Sequence, residues 1–458
     1  MSANWVTVKL GIVVESCLGK MLDQNKNKGE FYPYLGNSNV RWGSFDLSNL
    51  AKMKFEETEF LRYGLKDGDL LVCEGGEPGR CAIWKNNIPN MKFQKALHRI
   101  RPKNQLNNYY LYYWFKLSHQ LGKLEPFFTG TTIKHLTGKA LSELNIQLPP
   151  LDYQWKVANI LKSLDDKIEL NRQTNQTLEQ IAQAMFKNWF VDFEPTRAKI
   201  AAIEAGATAK EVERAAMCSI SGKTDEELDQ LAPEVLQQLK VTAALFPDAL
   251  VESELGEVPE GWKLSEIGNE VDIVGGGTPS TTNSEFWEDG DHHWTTPKDM
   301  SNLTDKILLQ TERKVTDSGL KKISSGLLPI NTVLMSSRAP VGYLAITKIP
   351  VAINQGYIAM KCNDVLTPEY VVQWAQSVID EIQQRASGTT FAEISKRNFR
   401  VIKVLVPKDA LVQSYSRVVG NLYEKISSAL KETIALAELR DSLLPKLLSG
   451  EIKVSNVN

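Results

Sequence analysis

Two long stretches of the chain repeat apolar residues in alternating steps of four and three. One runs from Val157 to Trp189 and the other from Tyr415 to Leu447. Because this spacing keeps one helix face apolar over about four heptads, it predicts two long helices that pair through a coiled-coil seam. The seam positions that we infer are Leu161, Leu164, Ile168, Asn171, Asn175 and Leu178 in the first helix and Val419, Leu422, Ile426, Leu436 and Leu443 in the second.

Prolines mark where the two predicted helices begin. Pro149-Pro150 precede the first helix and Pro407 precedes the second, and proline is tolerated in the first turn of a helix but not in its interior. The simplest pairing of the two helices is antiparallel. Asn171 and Asn175 replace apolar residues in the seam, where a polar side chain fixes register at some cost in stability. A local irregularity is the alternative interpretation.

The chain outside these helices repeats itself. The sequence DLLVCEGGEPGRCAI (Asp69–Ile83) matches TVLMSSRAPVGYLAI (Thr332–Ile346), and Gly-Thr-Thr recurs at 130–132 and 388–390. Short β-type runs alternate with Gly, Asn and Pro turns, which is typical of a compact α+β domain. We therefore predict a tandem duplication of a mixed α/β domain followed by a long helix. The predicted divisions are a first domain at 1–150, a central helix at 151–193, an acidic and partly helical connector at 194–256, a second domain at 257–407 and a C-terminal helix at 408–452.

The formal net charge of −2 hides a local pattern. From Arg80 to Leu124 there are nine basic residues and no acid, and from Gly319 to Asn363 there are five basic residues and no acid. Nucleic-acid binding is judged from such local fields rather than from the total charge. A chance acid-free surface is the alternative for either stretch alone. Their similar positions in the two copies favour a nucleic-acid surface in both.

The cysteine and hydropathy patterns indicate in which cellular compartment the protein is expected. The five cysteines are scattered and never form a C-x-x-C pair, which fits a reducing environment and argues against a disulfide framework or a zinc ribbon. No apolar run approaches the ~20 residues that a membrane-spanning helix needs. We therefore expect a cytoplasmic protein that does not bind a membrane.

A search for catalytic motifs finds none that is complete. Gly222–Thr224 ends like a phosphate loop, but the first glycine of that motif is replaced by Met217, so the loop is not expected. His292-His293 has no third ligand at zinc-like spacing, and the chain lacks the Asp/Asn-Pro-Pro-aromatic tetrad of adenine methylases. We expect no catalytic residue, no metal and no cofactor on this chain.

Several motifs resemble the specificity subunits of type I restriction-modification enzymes. They are ELGEVPEGW (Glu254–Trp262), HWTTPKDM (His293–Met300), SSRAPVGYLAI (Ser336–Ile346), FKNWFVDFEP (Phe186–Pro195) and LRDSLLPKLLSGEI (Leu439–Ile452). The resemblance implies a non-catalytic scaffold whose two domains each read half of a bipartite target in double-stranded DNA. It also implies two copies of a modification (methylase) subunit that binds S-adenosylmethionine, and restriction/translocase subunits that use ATP and Mg.

Two other functions stay open from the sequence. A defence-related DNA-binding adaptor of the same fold, serving a different effector, would share these motifs. A stand-alone nuclease or methylase is opposed by the missing catalytic motifs. Copurification with a methylase subunit separates the adaptor from the specificity subunit.

Polar residues near the turns are the candidates for DNA contact, because Arg, Lys, Asn and Gln read base edges while most contacts go to phosphate. The first-domain candidates are Asn37, Ser38, Asn39, Arg41, Lys92, Gln94, Lys95, His98, Arg99 and Arg101, and the second-domain candidates are Lys298, Asp299, Arg338, Asn354 and Gln355. The Gly-Thr-Thr turns add Thr131, Thr132 and Lys134 in the first domain and Thr389 and Thr390 in the second. Structural turns that lead into the last strand are the alternative for these.

Overall fold

A computed structural model describes residues 5–23, 27–301, 303–338, 340–388 and 392–454. The chain divides into two compact units. Unit 1 comprises Met1–Glu169 with Thr433–Asn458, and unit 2 comprises Leu170–Glu432. Each unit therefore combines one globular domain with a part of both long helices.

The globular domain of unit 1 mixes strands with short helices. Its strands are β1 (Val6–Lys9), β2 (Val14–Leu18), β3 (Glu30–Leu35), β4 (Val40–Arg41), β5 (Ser44–Phe45), β6 (Lys52–Phe55), β7 (Leu70–Cys73), β8 (Cys81–Ile83), β9 (Lys92–Phe93), β10 (Leu97–Pro102) and β11 (Asn145–Leu148). Its helices are α1 (Leu10–Val13), α2 (Phe60–Tyr63), α3 (Asn108–Gln120) and α4 (Gly138–Glu143). The sheets run in the orders β2-β10-β7-β8 and β6-β3-β9, while β1 pairs with β11 and β4 with β5.

Strand β7 is apolar throughout because both of its faces are covered. Leu70 and Val72 belong to the core that α3 closes, while Leu71 and Cys73 face a second core that contains Trp84. Strands buried on both faces are expected to be continuous apolar runs rather than alternating ones. The four-stranded sheet thus separates two cores within the first domain.

Helix α5 (Leu151–Phe186) follows the first domain and ends in a π-helical turn at Lys187–Val191. The connector then forms α6 (Glu194–Glu204), α7 (Ala209–Ser221), α8 (Asp225–Leu228) and α9 (Pro233–Ala244), followed by the hairpin of β12 (Leu250–Ser253) and β13 (Gly256–Pro259). A small core of its own, which includes Met217 and Leu228, holds α7, α8 and α9 together.

The second globular domain has the same mixture of elements. Its strands are β14 (Lys263–Glu266), β15 (Asp272–Val274), β16 (His292–Thr295), β17 (Ile307–Leu308), β18 (Arg313–Val315), β19 (Val333–Ser336), β20 (Leu344–Thr347), β21 (Ala352–Ile353), β22 (Tyr357–Lys361) and β23 (Lys403–Val406). Its helices are α10 (Ile267–Glu270), α11 (Pro297–Ser301), α12 (Asp317–Leu320), α13 (Pro368–Ser377), α14 (Ile379–Gln384) and α15 (Lys396–Arg400), and α16 (Asp409–Leu448) follows.

Sheet order shows that the two domains are copies of one fold. The second domain contains β15-β22-β19-β20, extended by β17, and also β18-β16-β21 and the pair β14-β23. These correspond strand by strand to β2-β10-β7-β8, β6-β3-β9 and β1-β11 of the first domain. The predicted tandem duplication of a mixed α/β domain with a long helix is confirmed.

In unit 1 the two long helices run antiparallel. Tyr153 of α5 donates its hydroxyl to the carbonyl of Leu447 at 3.0 Å. Three turns further along α5, the Arg440 guanidinium donates to Asp165 at 2.6 Å. Leu161 is buried in the same core as Leu447. Residue numbers rise along α5 as they fall along α16, which is the predicted direction of pairing.

Unit 2 shows the same antiparallel pairing. The amide of Asn171 donates to Glu432 at 2.8 Å, and the Tyr415 hydroxyl donates to the carbonyl of Ala182 at 3.4 Å. Asn175 instead faces Asp305 of the second domain. Of the inferred seam positions, Leu161, Asn171, Asn175, Val419 and Ile426 are buried, and Leu164, Ile168, Leu178, Leu422, Leu436 and Leu443 are half-buried.

The length and hydropathy of the helices bear on whether any of them could cross a membrane. Within the described ranges, no helix has the length and hydropathy that crossing a membrane would require.

Replacing Asp165 with alanine should destabilise unit 1. The Tyr113 hydroxyl donates to Asp165 at 2.7 Å, and the side chain of Arg440 is only 14% exposed. Removing the carboxylate leaves a buried hydroxyl unpaired and the guanidinium with Asp441 alone, at a cost of about 2–3 kcal/mol. Urea unfolding of the full chain measures it.

The neighbouring residue supplies the control. The carboxylate of Asp166 is 45% exposed and pairs with Lys162 on the helix surface, so D166A should cost at most about 1 kcal/mol. Equal losses of stability in the two variants would contradict the structural role given to Asp165.

Candidate nucleic-acid interface

Two adjacent glycines bring three loops together in the first domain. A Cβ on Gly75 would lie 3.1 Å from Nδ1 of His135, and one on Gly76 would lie 2.7 Å from the amide nitrogen of Asn37. Gly76 also has a φ of +74°, a conformation that costs little only for glycine. The loop after β7 therefore fits closely between the turn after β3 and the loop that contains Gly-Thr-Thr.

Backbone hydrogen bonds hold these loops in place. The amide of Glu74 donates to the carbonyl of Ala96 at 2.8 Å, and the amide of Leu136 donates to the carbonyl of Glu74 at 2.7 Å. We call the segments 36–41, 74–80, 94–96 and 129–135 together the first loop end. It gathers side chains from four separate places in the sequence onto one edge of the domain.

The second domain has the same arrangement, the second loop end, formed by 296–301, 337–343, 354–356 and 387–393 in their described parts. The amide of Ser337 donates to the carbonyl of Gly356 at 2.8 Å, and the amide of Ile394 donates to the carbonyl of Ser337 at 3.0 Å. These two bonds repeat those of the first loop end.

The turn after β3 and its counterpart after β16 are stabilised in the same way. Asn39 accepts the amide of Gly36 at 2.9 Å, and Asp299 accepts the amide of Thr296 at 2.7 Å. The side chains of Asn39 and Asp299 therefore have a structural role in the turn. Ser38 between the two ends of the first turn is exposed.

Three of the six residues between 92 and 101 that were expected to contact DNA are buried. Lys92 is 2% exposed, and its ammonium lies 3.6 Å from the centre of the Phe60 ring; burial lowers its pKa. The Arg99 guanidinium donates to the carbonyls of Arg62 and Gly64 at 2.8 and 3.0 Å. Both cations therefore lie inside the domain and not on its surface.

His98 is also buried, and Arg101 is half-buried and paired with an acid. His98 is 2% exposed, and burial lowers its pKa below the usual range for histidine. Arg101 forms two hydrogen bonds with Asp69, at 2.6 and 2.9 Å. The cause is that β10 lies between β2 and β7, so its side chains point into cores on both faces. The candidates of this stretch that lie at the loop end are Gln94, half-buried, and Lys95, exposed.

The other candidates lie at the two loop ends with varied exposure. In the first, Arg41, Thr131, Thr132 and Lys134 are exposed and Asn37 is half-buried. In the second loop end, Lys298 forms an ion pair with Glu312 at 2.8 Å, and Arg338 approaches Glu393 at 3.8 Å. Gln355 accepts a hydrogen bond from the Thr278 hydroxyl at 2.6 Å, and Asn354 accepts one from the amide of Gly356 at 2.9 Å. Thr389 and Thr390 lie outside the described residues.

Each loop end adjoins a basic edge strand that the sequence analysis did not identify. Strand β6 presents Lys52 and Lys54, and β18 presents Arg313 and Lys314, at the outer edge of the corresponding three-stranded sheets. The amide of Glu312, next to β18, donates to Asp299 at 2.8 Å. Basic residues alternate with buried apolar ones in β6 and are adjacent in β18, and acids next to both strands obscured these signals in the sequence.

Arg313 is also held in a defined orientation. Its guanidinium lies 3.6 Å from the centre of the Trp287 ring, and Trp287 packs edge-on against Trp294 at 4.9 Å between ring centres. Stacking on an aromatic ring leaves the edge of the guanidinium available for hydrogen bonds. A planar cation of this kind suits bidentate contacts to phosphate or to guanine.

The two adjacent histidines are engaged with other partners. His292 bonds to Asp317 at 2.7 Å and His293 to the hydroxyl of Thr311 at 3.0 Å. Within the described ranges, no group of three or more His, Cys, Asp or Glu side chains is placed to hold a metal ion. The chemistry that the loop ends offer is hydrogen bonding and positive charge.

Comparison with known proteins identifies the family. The family model described as Type I restriction modification DNA specificity domain matches residues 2–180 and 259–434. The chain belongs to this family. Each matched segment contains one globular domain and the beginning of the helix that follows it.

Relatives over most of the length agree. The HindI specificity subunit of Haemophilus influenzae is 36% identical, over 85% of this chain and 87% of that protein. The MjaIX specificity subunit of Methanocaldococcus jannaschii is 23% identical, over 85% of this chain and 79% of that protein. The crystal structure of a type I restriction-modification S subunit from M. genitalium shares the fold, with a TM-score of 0.54 at 16% identity over 99% of this chain and 97% of that one.

Replacing Lys95 with alanine should weaken binding of the chain to double-stranded DNA without lowering its melting temperature. Its exposed ammonium lies on the first loop end, and losing one phosphate contact reduces the salt dependence of log K by about one. Fluorescence anisotropy with a labelled duplex over a salt series measures both quantities.

Lys66 provides the matched control. It is also exposed but precedes β7, at the opposite end of that strand from the first loop end. K66A should leave the salt slope unchanged. A slope that falls equally in both variants would place the interface elsewhere.

Proposed function

We propose that this chain is the DNA sequence-specificity subunit of a type I restriction-modification complex and reads a bipartite target. The observation that carries the proposal is the repeated loop end. One backbone frame, held by the same hydrogen bonds, presents Asn37, Gln94 and Lys95 in one domain and Lys298, Arg338 and Gln355 in the other. Different side chains on equal frames suit the reading of two different half-sites.

We further propose that the chain is not itself an enzyme. Two copies of a modification subunit would carry S-adenosylmethionine, and restriction/translocase subunits would use ATP and Mg. Adenine methylation requires the base to leave the stack, and we assign the pocket for that base to the modification subunit. The specificity-subunit names of relatives that match most of the chain favour this function over an adaptor for a different effector.

Coexpression with the cognate modification subunit should create one new methyladenine motif in the host genome. The motif should have two short specified halves separated by a gap of fixed length, because two loop ends on one scaffold read the halves independently. Long-read sequencing of genomic DNA maps it. Methylation by the chain alone, or no new motif with the partner, would refute the proposal.

Substitutions at one loop end should alter only one half of that motif. Arg338→Ala is expected to relax the half read by the second domain, since a lost base contact costs about 1–3 kcal/mol of discrimination. Gln94→Ala is its counterpart and should relax the other half. If either substitution degraded both halves equally, the assignment of one half-site to each loop end would fail.

A further inference from the structure

A buried carboxylate of α5 joins the second domain to the helix that belongs to the first copy of the repeat. Glu179 accepts hydrogen bonds from Lys306 at 2.7 Å, from Gln373 at 3.0 Å and from Gln183 of its own helix at 3.1 Å. The side chains of Glu179 and Lys306 are only 14% and 15% exposed. Burial alone would raise the pKa of Glu179, but the charge of Lys306 and the bonded amides lower it.

One turn earlier on α5 there is a second polar contact with the same loop. Asn175 is 1% exposed, and its amide faces the carboxylate of Asp305 at 3.4 Å. Asp305 and Lys306 are adjacent in the sequence, so opposite charges of one loop lie against two successive turns of α5. Gln373 extends the network to α16, because its amide also donates to the Tyr423 hydroxyl at 2.8 Å.

This arrangement accepts only one position of the domain along the helix. A slip by one turn, about 5.4 Å, in one direction would place Asp305 against Glu179, and in the other direction it would leave Glu179 buried without its lysine. Apolar ridges recur every turn and discriminate less between such positions, whereas buried polar groups are best known for fixing register. A base pair rises about 3.4 Å, so a slip of this size corresponds to more than one base pair.

We propose that Glu179, through Lys306 and Gln373, is a positioning residue that sets the spacer length the protein accepts between its two half-sites. The inference rests on the proposed function. It assigns spacer selection to a contact between the second domain and α5, not to the length of the helices alone.

The test uses the complex with the modification subunit and plasmids whose two half-sites are separated by spacers that differ by one base pair. Wild type should methylate one spacer length. Glu179→Gln and Lys306→Met should each raise methylation of the neighbouring spacers at least tenfold relative to the original one. The reversed pair E179K/K306E should restore the single spacer, because the glutamine amides can turn their oxygens towards the new lysine.

Lys361 supplies the matched control, since its partner Asp272 lies within the same domain at 3.2 Å; K361M should keep the single spacer. The inference is overturned if E179Q and K306M also methylate only the single spacer length. It is overturned as well if K361M relaxes the choice of spacer as much as they do. The reversed pair remains informative if a single variant unfolds, because failure to restore the spacer in a folded complex also overturns it. If wild type methylates no bipartite target, the proposed function itself fails.

Discussion

Burial of two amphipathic helices against each other is the constraint on which the rest of the structure depends. Neither globular domain completes its core with its own copy of the repeat. In unit 1, Leu444 and Leu447 of α16 enter the core that contains α3. In unit 2, Phe186 of α5 and Trp189 of the π-helical turn after it pack with Tyr415. Because burial of apolar surface provides most of the stabilisation, each copy of the repeat contributes to the stability of the other.

Apolar packing gives stability, and a few buried polar groups make the packing specific. Asp165 receives hydrogen bonds from Tyr113 of the first domain and Arg440 of α16, whereas Glu179 receives them from Lys306 and Gln373 of the second domain. The two clusters lie at comparable junctions of domain and helix but use different side chains. The repeat has therefore kept its architecture while its junctions diverged, which distinguishes the two domains from one another.

The candidate interface was only partly predictable from the sequence. The first Gly-Thr-Thr turn, Lys95 and Arg338 lie in loops that connect strands, as turn residues and local charge in the sequence indicated. Lys92 and Arg99 were expected to contact DNA but are buried. A run of basic residues in the sequence does not show that a strand such as β10 lies inside a sheet with both faces covered. The basic edge strands β6 and β18 were missed for the opposite reason, since their position at a sheet edge follows from strand pairing alone.

The sequence by itself determined the duplication, the two long helices and the family, because periodicity and repeated motifs are properties of the chain order. Tertiary structure alone decided which polar groups serve the core and which meet solvent. Asn175 illustrates the difference. The heptad spacing predicts its seam position, but its partner Asp305 lies in a loop 130 residues away in the sequence. Such pairings depend on how strands and helices are brought together in space, and the heptad pattern carries no information about that.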